Sequence, residues 1–417
     1  MVSARSGPLT SNDVREHNLG LVLSQLDRLG AAARSDLTNA TGLTSGAITL
    51  LVAELIGAGL VRALPPEEAP SGGKRAGRPR ERLEVDGRGL ALVGLQFFVD
   101  EVLVSAVDLA GRSLRRETRS VRTPHGDPAA LADQLSALVD EVVAGLLAQS
   151  VLPVRLAVVV PAPVVLGTET IPVAIDLGWT DVDLRDLLRE RGWTFPLGVH
   201  VVNDANSAAY AEFVELQALS GDAEVSDMVY LKSDTGIGGG AIVAGEILSG
   251  VDGVAFEPGH MVVAPDGAAC ACGQRGCLVT VAGPDVVLDR ADLTAYRAEH
   301  GLPRALAELV RRYRAGDEPA AVAVDGALAW IRLALVNCIV VLQPQFVVVG
   351  GYLAEFVDEL SPLPLSQLSG KGSPLDAVRR AVHGAYSGVD GALLHGRREI
   401  LRRPSVLPRP KGQTPTQ

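Results

Sequence analysis

Four residues of the types that bind zinc lie within eighteen positions of this chain: His260, Cys270, Cys272 and Cys277. One imidazole and three thiolates can occupy all four tetrahedral positions around Zn²⁺, and glycines at 273 and 276 let the connecting loop wrap around it. Because no position remains for water, the pattern predicts a structural zinc ion. The alternative is three free thiols beside an unrelated histidine.

The chain has 417 residues, more than the ~100–200 of one compact domain, so we expect two or three domains. Its longest unbroken apolar run, residues 156–166, is too short to span a membrane, and the N-terminus resembles no secretion signal. Three of the four cysteines lie in the cluster, as in proteins of reducing compartments. The sequence therefore predicts a cytoplasmic protein with no membrane partner.

Charge is distributed unevenly along the chain. The net charge is -11, but residues 1–89 carry 11 basic against 10 acidic side chains, so the excess acid lies in the remainder. A Gly- and Pro-containing stretch between residues 74 and 82 contains five basic residues. Such a stretch can contact phosphate even when the rest of the protein is acidic.

The first 88 residues follow the pattern of a winged helix-turn-helix. Apolar spacing predicts a helix over 17–29, a short helix over 35–41 capped by Ser35, and a third helix capped by Thr44. Residues 60–64 and 82–85 read as two strands joined by the basic stretch. A packing or dimerisation module is the alternative to DNA binding.

In the DNA-binding reading, the start of the third helix meets base edges or phosphates, and arginines of the basic loop enter the minor groove or contact its phosphates. The residues concerned are Thr44, Ser45 and Thr49 in the helix and Arg75, Arg78 and Arg80 in the loop. A solvated charge run is the alternative for the arginines.

From residue 89 onward short Val- and Leu-rich runs alternate with helical stretches, which predicts an α/β body. Asn203 and Asp204 follow one such strand, where Asp204 could act as a general base, bind a polyol or cap a helix. The glycine-rich run 234–240 fits a strand-to-strand turn slightly better than a phosphate site. Glu257 lies one turn before His260, so zinc and a ligand pocket would be coupled.

Together these motifs resemble the ROK family of repressors and sugar kinases. The resemblance rests on 202–209, 235–240, 257–260, 270–277 and 345–351, whose order and spacing agree with the family. It implies a two-lobed, ribonuclease-H-like body with a sugar pocket between the lobes. It also implies zinc bound by His260, Cys270, Cys272 and Cys277, sugar contacts from Asn203, Asp204, Glu257 and His260, and Asp204 as the base of a kinase.

The chain departs from the kinase pattern of that family in two places. Gln96, followed by two phenylalanines, stands where the phosphate-binding turn begins, and Asp234 replaces a usual glycine of the second phosphate motif. Phosphoryl transfer depends on positioning and charge neutralisation, so these changes predict loss of kinase activity. In the sugar pocket Val279 replaces a glutamate and Asp176 an asparagine, which argues against simple hexoses.

We therefore expect an α/β protein with a winged helix-turn-helix at 1–88, a two-lobed actin/hexokinase-like body at 89–403 and a disordered tail at 404–417. The predicted function is a non-enzymatic regulator, a repressor of sugar uptake or catabolism genes. A sugar-derived effector would release it from operator DNA. A homodimer or homotetramer is expected, and the Ala-rich stretch 320–334 fits an interface or the core. The alternatives are an ATP-dependent sugar kinase and a ligand-independent regulator with a decayed pocket.

Overall fold

The computed structural model describes residues 10–65, 81–98, 101–121, 125–220, 225–361, 363 and 378–407. Its N-terminal domain contains three helices and a three-stranded antiparallel sheet with β3 in the centre. The elements, in chain order, are α1 (Ser11–Leu29), β1 (Ala31–Ala33), α2 (Arg34–Thr41), α3 (Ser45–Gly57), β2 (Val61–Ala63) and β3 (Arg82–Val85). The apolar faces of the three helices and the sheet share one core.

The helix boundaries in this domain follow from their caps. The hydroxyl of Thr10 accepts a hydrogen bond from the Asp13 amide, and the Asp13 carboxylate accepts one from the Thr10 amide. This reciprocal cap starts α1 six residues before the apolar periodicity predicts. The prediction that Ser35 caps α2 is wrong, because Ala33 precedes that helix and its amide donates to Asp36 instead.

The turn between α2 and α3 agrees with the predicted helix-turn-helix geometry. Gly42 ends α2 in the left-handed conformation with φ of 72°, which glycine adopts without strain. The hydroxyl of Thr44 then accepts a hydrogen bond from the Ala47 amide and begins α3, as expected. The axes of α2 and α3 differ in direction by 114°, within the usual range for such a motif.

The body consists of two lobes, each built on a five-stranded mixed sheet. Lobe one has the strand order β10-β7-β4-β5-β6, with β7 parallel to both of its neighbours. Its elements are β4 (Leu90–Phe97), β5 (Glu101–Asp108), β6 (Ser113–Ser120), α4 (Pro128–Ala148), β7 (Leu152–Val160), β8 (Ile171–Ala174), β9 (Trp179–Val182), α5 (Leu184–Glu190) and β10 (Val199–Asn203). Alternate residues of β4 face opposite sides, so Val93 and Leu95 pack toward α4 and α5.

Lobe two has the strand order β13-β12-β11-β14-β15 and carries most of the helices. Its elements are α6 (Asp204–Leu219), β11 (Met228–Ser233), β12 (Ile237–Val243), β13 (Glu246–Ile247), α7 (Val279–Ala282), α8 (Pro284–Arg290), α9 (Thr294–His300), α10 (Leu302–Arg314), α11 (Glu318–Leu342), β14 (Phe346–Gly351), α12 (Val357–Leu360) and β15 (Arg379–Arg380). The last long helix, α13 (Ser387–Arg402), returns to cover the second face of the lobe-one sheet.

Helices α6 and α13 pack closely against each other between the two sheets. Gly391 of α13 lies so near the carbonyl oxygen of Ser207 that a Cβ atom there would come within 1.7 Å of it. Farther along, the rings of Tyr210 and His395 meet edge to face with centroids 5.0 Å apart. Glycine at 391 is therefore required by the close approach of the helices.

The C-terminal end of α13 fastens the N-terminal domain to lobe one. A Cβ atom on Gly20 of α1 would come within 2.1 Å of the Arg402 carbonyl oxygen, so the two backbones are in direct contact. Arg397 donates to both carboxylate oxygens of Asp27 in α1. The Ser405 amide donates to Glu16.

The predicted boundary of a disordered tail at residue 404 is too early. Pro404–Val406 forms a short 3-10 helix that packs beside α1, with Pro404 buried. Residues 408–417 lie outside the described part of the chain. Helical structure and packing therefore extend beyond the predicted boundary.

Helix α11 is long and apolar enough by length and composition to cross a membrane. Asp325 and Arg332 interrupt its apolar sequence, so α11 does not contain the longest unbroken apolar run of the chain. Ten of its residues, including Ile331 and Leu335, are buried in the core of lobe two. A helix of this kind is weak evidence for a membrane span.

Candidate functional site

An ion-pair cluster lies where β10 of the lobe-one sheet leads into α6, close to the end of β11. The Lys232 ammonium lies 2.6 Å from a carboxylate oxygen of Asp204 and 3.1 Å from one of Asp234. The Lys232 and Asp204 side chains are only 13% and 15% exposed. Burial alone would lower the pKa of Lys232, but the charges of Asp204 and Asp234 raise it above its ordinary value, so the ammonium stays charged.

Asn203, rather than Asp204, caps the helix that follows. Its side-chain oxygen accepts a hydrogen bond from the Asn206 amide at 2.8 Å, and its nitrogen donates to the Ala162 carbonyl at 3.0 Å. The structure thus removes the helix-capping alternative for Asp204. The carboxylate of Asp204 is instead paired with Lys232, so it is not a free base in this state.

Glu257 and His260 lie on a single 3-10 turn, in which the His260 amide donates to the Glu257 carbonyl. Burial, and next the charge of Asp204, raise the pKa of the Glu257 carboxyl to about 7. Glu257 is therefore close enough to Asp204 for their charges to interact. That Asp204, Glu257 and His260 share one ligand site stays a prediction.

The four predicted metal ligands converge. One ligand atom from each of His260, Cys270, Cys272 and Cys277 lies within 4.8 Å of the others. The Cys270 sulfur is 3.6 Å from His260 Nδ1, and the Cys272 and Cys277 sulfurs are 3.6 Å apart. Zinc bonds of ~2.1 Å to nitrogen and ~2.3 Å to sulfur give tetrahedral edges of roughly 3.5–3.8 Å. The cluster is therefore compatible with a metal site.

The two ring nitrogens of His260 have different surroundings. Nδ1 faces the Cys270 sulfur, which leaves Nε2 for a second partner. Cys277 is buried and leads directly into α7, whereas Cys272 is exposed. The loop 260–277 thus connects the 3-10 turn at Pro258–His260 to the core of lobe two.

Gln96 occupies the end of β4, where the family's phosphate turn would begin. Its buried side chain accepts a hydrogen bond from the Val389 amide at 2.9 Å and donates to the Ala385 carbonyl at 3.4 Å. The Phe98 ring meets Tyr386 edge to face, with centroids 5.6 Å apart. These contacts join β4 to the start of α13.

The glycine-rich run is explained by packing. Gly238 to Gly240 lie within β12, and a Cβ atom at Gly240 would come within 2.7 Å of the Ala209 Cβ in α6. At Gly239 it would come within 2.6 Å of the Tyr230 carbonyl oxygen. The structural reading of these glycines is thereby supported.

Val279 and Asp176, the two positions that depart from the family's sugar-pocket pattern, are only partly described by the structure. Val279 is half buried at the first position of α7, two residues after Cys277. The side chain of Asp176 lies outside the described part of the structure. Lys232, which no sequence motif singled out, is the residue whose charge pairs with both Asp204 and Asp234.

The predicted DNA-contacting helix presents a polar, exposed end. Thr44, Ser45 and Thr49 are all exposed at the start of α3, while Ile48 between them is buried in the domain core. The Thr49 hydroxyl donates to the Ser45 carbonyl at 2.8 Å. The loop arginines Arg75, Arg78 and Arg80 lie outside the described residues.

Comparison with known proteins identifies relatives of this chain by sequence and by structure. The chain is 26% identical over 365 residues to the DNA-binding transcriptional repressor Mlc of Escherichia coli, covering 86% of this chain and 87% of that one. It is 33% identical over 211 residues to a glucokinase of Halalkalibacterium halodurans, covering 48% and 62%. A solved ROK family transcriptional regulator, described as a homologue of the E. coli protein, superposes with a TM-score of 0.73 at 22% identity, covering 94% of this chain and 98% of that one. Residues 93–397 match the model of the ROK family, and this chain is therefore a member of that family.

Proposed function

We propose that this protein is a transcriptional repressor that leaves its operator when a sugar or sugar-derived effector binds between the lobes. The observation that carries the proposal is the exposed polar start of α3, presented by a helix-turn-helix that the body leaves uncovered. The similarity to the Mlc repressor supports it, because it extends over 86% of this chain. In this proposal residues 1–88 form the winged DNA-binding domain and residues 89–403 the effector-binding body.

The DNA-binding surface follows from the geometry of the N-terminal domain. Helix α3 would enter the major groove with Thr44, Ser45 and Thr49 toward base edges or phosphates. Strands β2 and β3 pair next to it and carry the basic loop, whose arginines Arg75, Arg78 and Arg80 would contact the minor groove or its phosphates. Paired α3 helices of a homodimer or homotetramer would meet successive major grooves about 10 bp apart.

The effector site would comprise Asn203, Asp204, Glu257 and His260. Its polar groups can donate to and accept from hydroxyl groups, and a zinc ion bound by His260, Cys270, Cys272 and Cys277 would hold the pocket turn in place when present. Such an ion has no open position, so it supplies no catalysis. A repressor of this kind acts in the cytoplasm, where its operator is.

A route from the pocket to the DNA-binding domain is available through two helices. Asp204 begins α6, and α6 packs along α13. The Arg397–Asp27 ion pair and the backbone contact at Gly20 then join α13 to α1. In the proposed mechanism, effector binding closes the lobes, shifts α13 and thereby changes the spacing of the two DNA-binding domains.

Sugar kinase activity is the second candidate, since the chain also resembles a glucokinase. Two contacts argue against it. Asp204, the residue that would accept the hydroxyl proton, is paired with Lys232, and the Gln96 side chain bonds to α13 where phosphate would bind. A phosphoryl transfer site needs a free base and a phosphate cradle.

The test is fluorescence anisotropy of the full chain on DNA from upstream of its own gene. It is run at several salt concentrations, with and without a panel of sugars and sugar phosphates. Specific binding that a sugar weakens is expected. Specific binding that no sugar changes would favour a regulator with a decayed pocket, and no binding above a nonspecific control would contradict the repressor. ATP-dependent phosphorylation of the sugars is measured in parallel.

Two matched pairs of variants locate the surfaces. Arg78→Ala should lower both the affinity for DNA and the salt dependence of DNA binding. Arg28→Ala removes the same charge from an exposed position on α1 and should change neither quantity. Glu257→Gln should abolish the response to the effector while DNA binding persists. Glu299→Gln, an exposed carboxylate on α9, serves as its control.

A further inference from the structure

The three cysteines of the predicted metal site differ in their exposure to solvent. Cys277 is fully buried, Cys270 is half-buried and Cys272 is exposed. A thiolate reacts with an oxidant only where the oxidant can approach the sulfur, so burial protects a cysteine and exposure makes it susceptible. Cys272 is therefore the sulfur of the cluster that a dissolved oxidant meets most readily.

The exposure of Cys272 follows from the backbone around it. Ala269 and Arg275 pair as an antiparallel bridge, and the Gly273 amide donates to the Cys270 carbonyl at 3.0 Å. These bonds close a turn with Cys272 at its tip, where Gly273 has a φ of 90°. Residues 271 to 275 are all exposed. Solvent therefore surrounds the tip on which Cys272 lies.

Cys277 lies on a firmly held backbone close to this tip. The Gly276 carbonyl accepts hydrogen bonds from the Val263 and Ala264 amides at 2.9 and 3.1 Å. The sulfurs of Cys272 and Cys277 are 3.6 Å apart. Side-chain rotation is enough to shorten this separation to the ~2.05 Å of a disulfide bond. The buried sulfur is thus placed to attack the exposed one once the exposed one is oxidised.

We infer that Cys272 is a site of oxidation by hydroperoxides, which links it to Cys277 and releases the metal ion. In the first step the Cys272 thiolate attacks one oxygen of hydrogen peroxide, the O–O bond breaks, and a sulfenic acid and a hydroxide ion form. In the second step the Cys277 thiolate attacks the oxidised sulfur, the S–S bond forms, and a second hydroxide ion leaves. The two thiolates together lose two electrons, and the peroxide gains them.

The disulfide removes two of the four predicted metal ligands. Thiolates bind metal ions and disulfide sulfurs do not, so only His260 and Cys270 remain as ligands. A structural zinc site depends on all four, and the ion is expected to dissociate. Disulfides that form in a reducing compartment are typically transient and redox-sensing. Reduction by a dithiol regenerates both thiolates and allows the ion to bind again.

Oxidation at Cys272 would also act on the proposed effector site. His260 is the last residue of the 3-10 turn that follows Glu257, and it is the ligand that joins this turn to the cysteines. Without the ion, the turn keeps the packing of Gly259 against the Ile237 carbonyl oxygen but loses its attachment to the cysteine loop. The response to the effector should therefore weaken. This consequence rests on the proposed function, whereas the oxidation chemistry does not.

The test is peroxide treatment of the reduced, zinc-loaded full chain after removal of the reductant. Zinc release is followed with a chromogenic chelator, free thiols are counted after denaturation, and linked peptides are identified by mass spectrometry. The wild type should lose its zinc ion together with two of its four thiols. A peptide linked through Cys272 and Cys277 should appear, and a dithiol with added zinc should restore the starting state. Retention of all four thiols, or a link between any other pair of cysteines, would overturn the site.

Variants that keep a metal ligand separate oxidation from loss of affinity. Cys272→Asp and Cys272→His each replace the exposed sulfur by another group that binds zinc. Both should retain zinc under peroxide, and release as fast as in the wild type would overturn the role of Cys272. Cys338→Ser is the matched control, because burial raises the pKa of the Cys338 thiol to about 11 and keeps it unreactive. It should release zinc as the wild type does.

DNA binding is measured separately on the reduced and the oxidised chain. Zinc release with a linked peptide, in a chain that binds no DNA, would contradict the repressor and support the oxidation site. An effector-sensitive repressor whose cysteines survive peroxide would do the reverse.

Discussion

The Lys232–Asp204 pair is the buried contact whose removal should cost the most. Lys232→Met retains the length and much of the volume of the side chain but removes its charge. It leaves the Asp204 carboxylate without its partner at 2.6 Å and Asp234 without its partner at 3.1 Å. Nearby Glu257 adds repulsion, since the Asp204 charge already raises the pKa of Glu257.

The size of the effect follows from burial. Both side chains of the pair are less than one-sixth exposed, and breaking a buried ion pair from one side costs about 3–5 kcal/mol. We expect Lys232→Met to lower the free energy of unfolding by about 3 kcal/mol, since some carboxylates can take up a proton. Asp204→Asn should cost less, because Asp234 still neutralises Lys232. The double variant should be more stable than the sum of the single effects predicts, by about 1–3 kcal/mol.

The assay is urea denaturation of the four proteins, followed by circular dichroism. Arg189→Met is the matched control: its partner Asp186 is 3.4 Å away and both side chains are more than half exposed, so its loss should cost at most ~0.5 kcal/mol. Strictly additive single effects, or a Lys232→Met cost no greater than that of Arg189→Met, would refute the claim that the pair is buried and coupled.

Three further outcomes are expected. Gly20→Ala should destabilise the chain by about 1–3 kcal/mol in thermal denaturation, because its Cβ would meet the Arg402 backbone. By contrast, Gly46→Ala has open space around it and should stabilise α3 by up to about 1 kcal/mol. Zinc analysis should find one ion per chain, which Cys277→Ser removes with a lower melting temperature. Hydrogen bonding to Asp390 raises the pKa of His383, so the stability it contributes should be full below its unfolded pKa and lost as pH rises through the folded value.

A control variant or a contrary result is defined for each of these three outcomes. Equal effects of alanine at positions 20 and 46 would contradict direct contact between α1 and α13. Cys338→Ser, a buried cysteine outside the cluster, should keep the zinc, and loss of metal there would argue against the assigned ligands. His383→Gln should flatten the change in urea midpoint between pH 5 and pH 8; an unchanged profile would show that another group is responsible.

Patterns that depend on near neighbours were predictable from the sequence. The turn at Gly42, the cap at Thr44 and the convergence of His260 with three cysteines are local, and the structure shows each of them. The family membership predicted from motifs is confirmed by the match over residues 93–397. These features are set by a few residues close together in the chain.

Contacts between distant segments were not predictable in the same way. β1 consists of three alanines and forms because β3, fifty residues later, offers a partner. β6 has a largely polar, exposed sequence and pairs as the edge of its sheet. Lys232 pairs with Asp234 two residues further on, but its closer partner, Asp204, lies 28 residues earlier and is brought near only by the fold.

The attachment of α1 to α13 has a consequence for how the protein is made. Synthesis proceeds from the N-terminus, so residues 1–88 leave the ribosome about 310 residues before Arg397 and Arg402, the residues of α13 that contact α1. Until then α1 has no surface to dock on. In the proposed mechanism, a nascent or C-terminally truncated chain therefore carries an N-terminal domain that the effector site cannot control, and only completion of α13 places the two under common regulation.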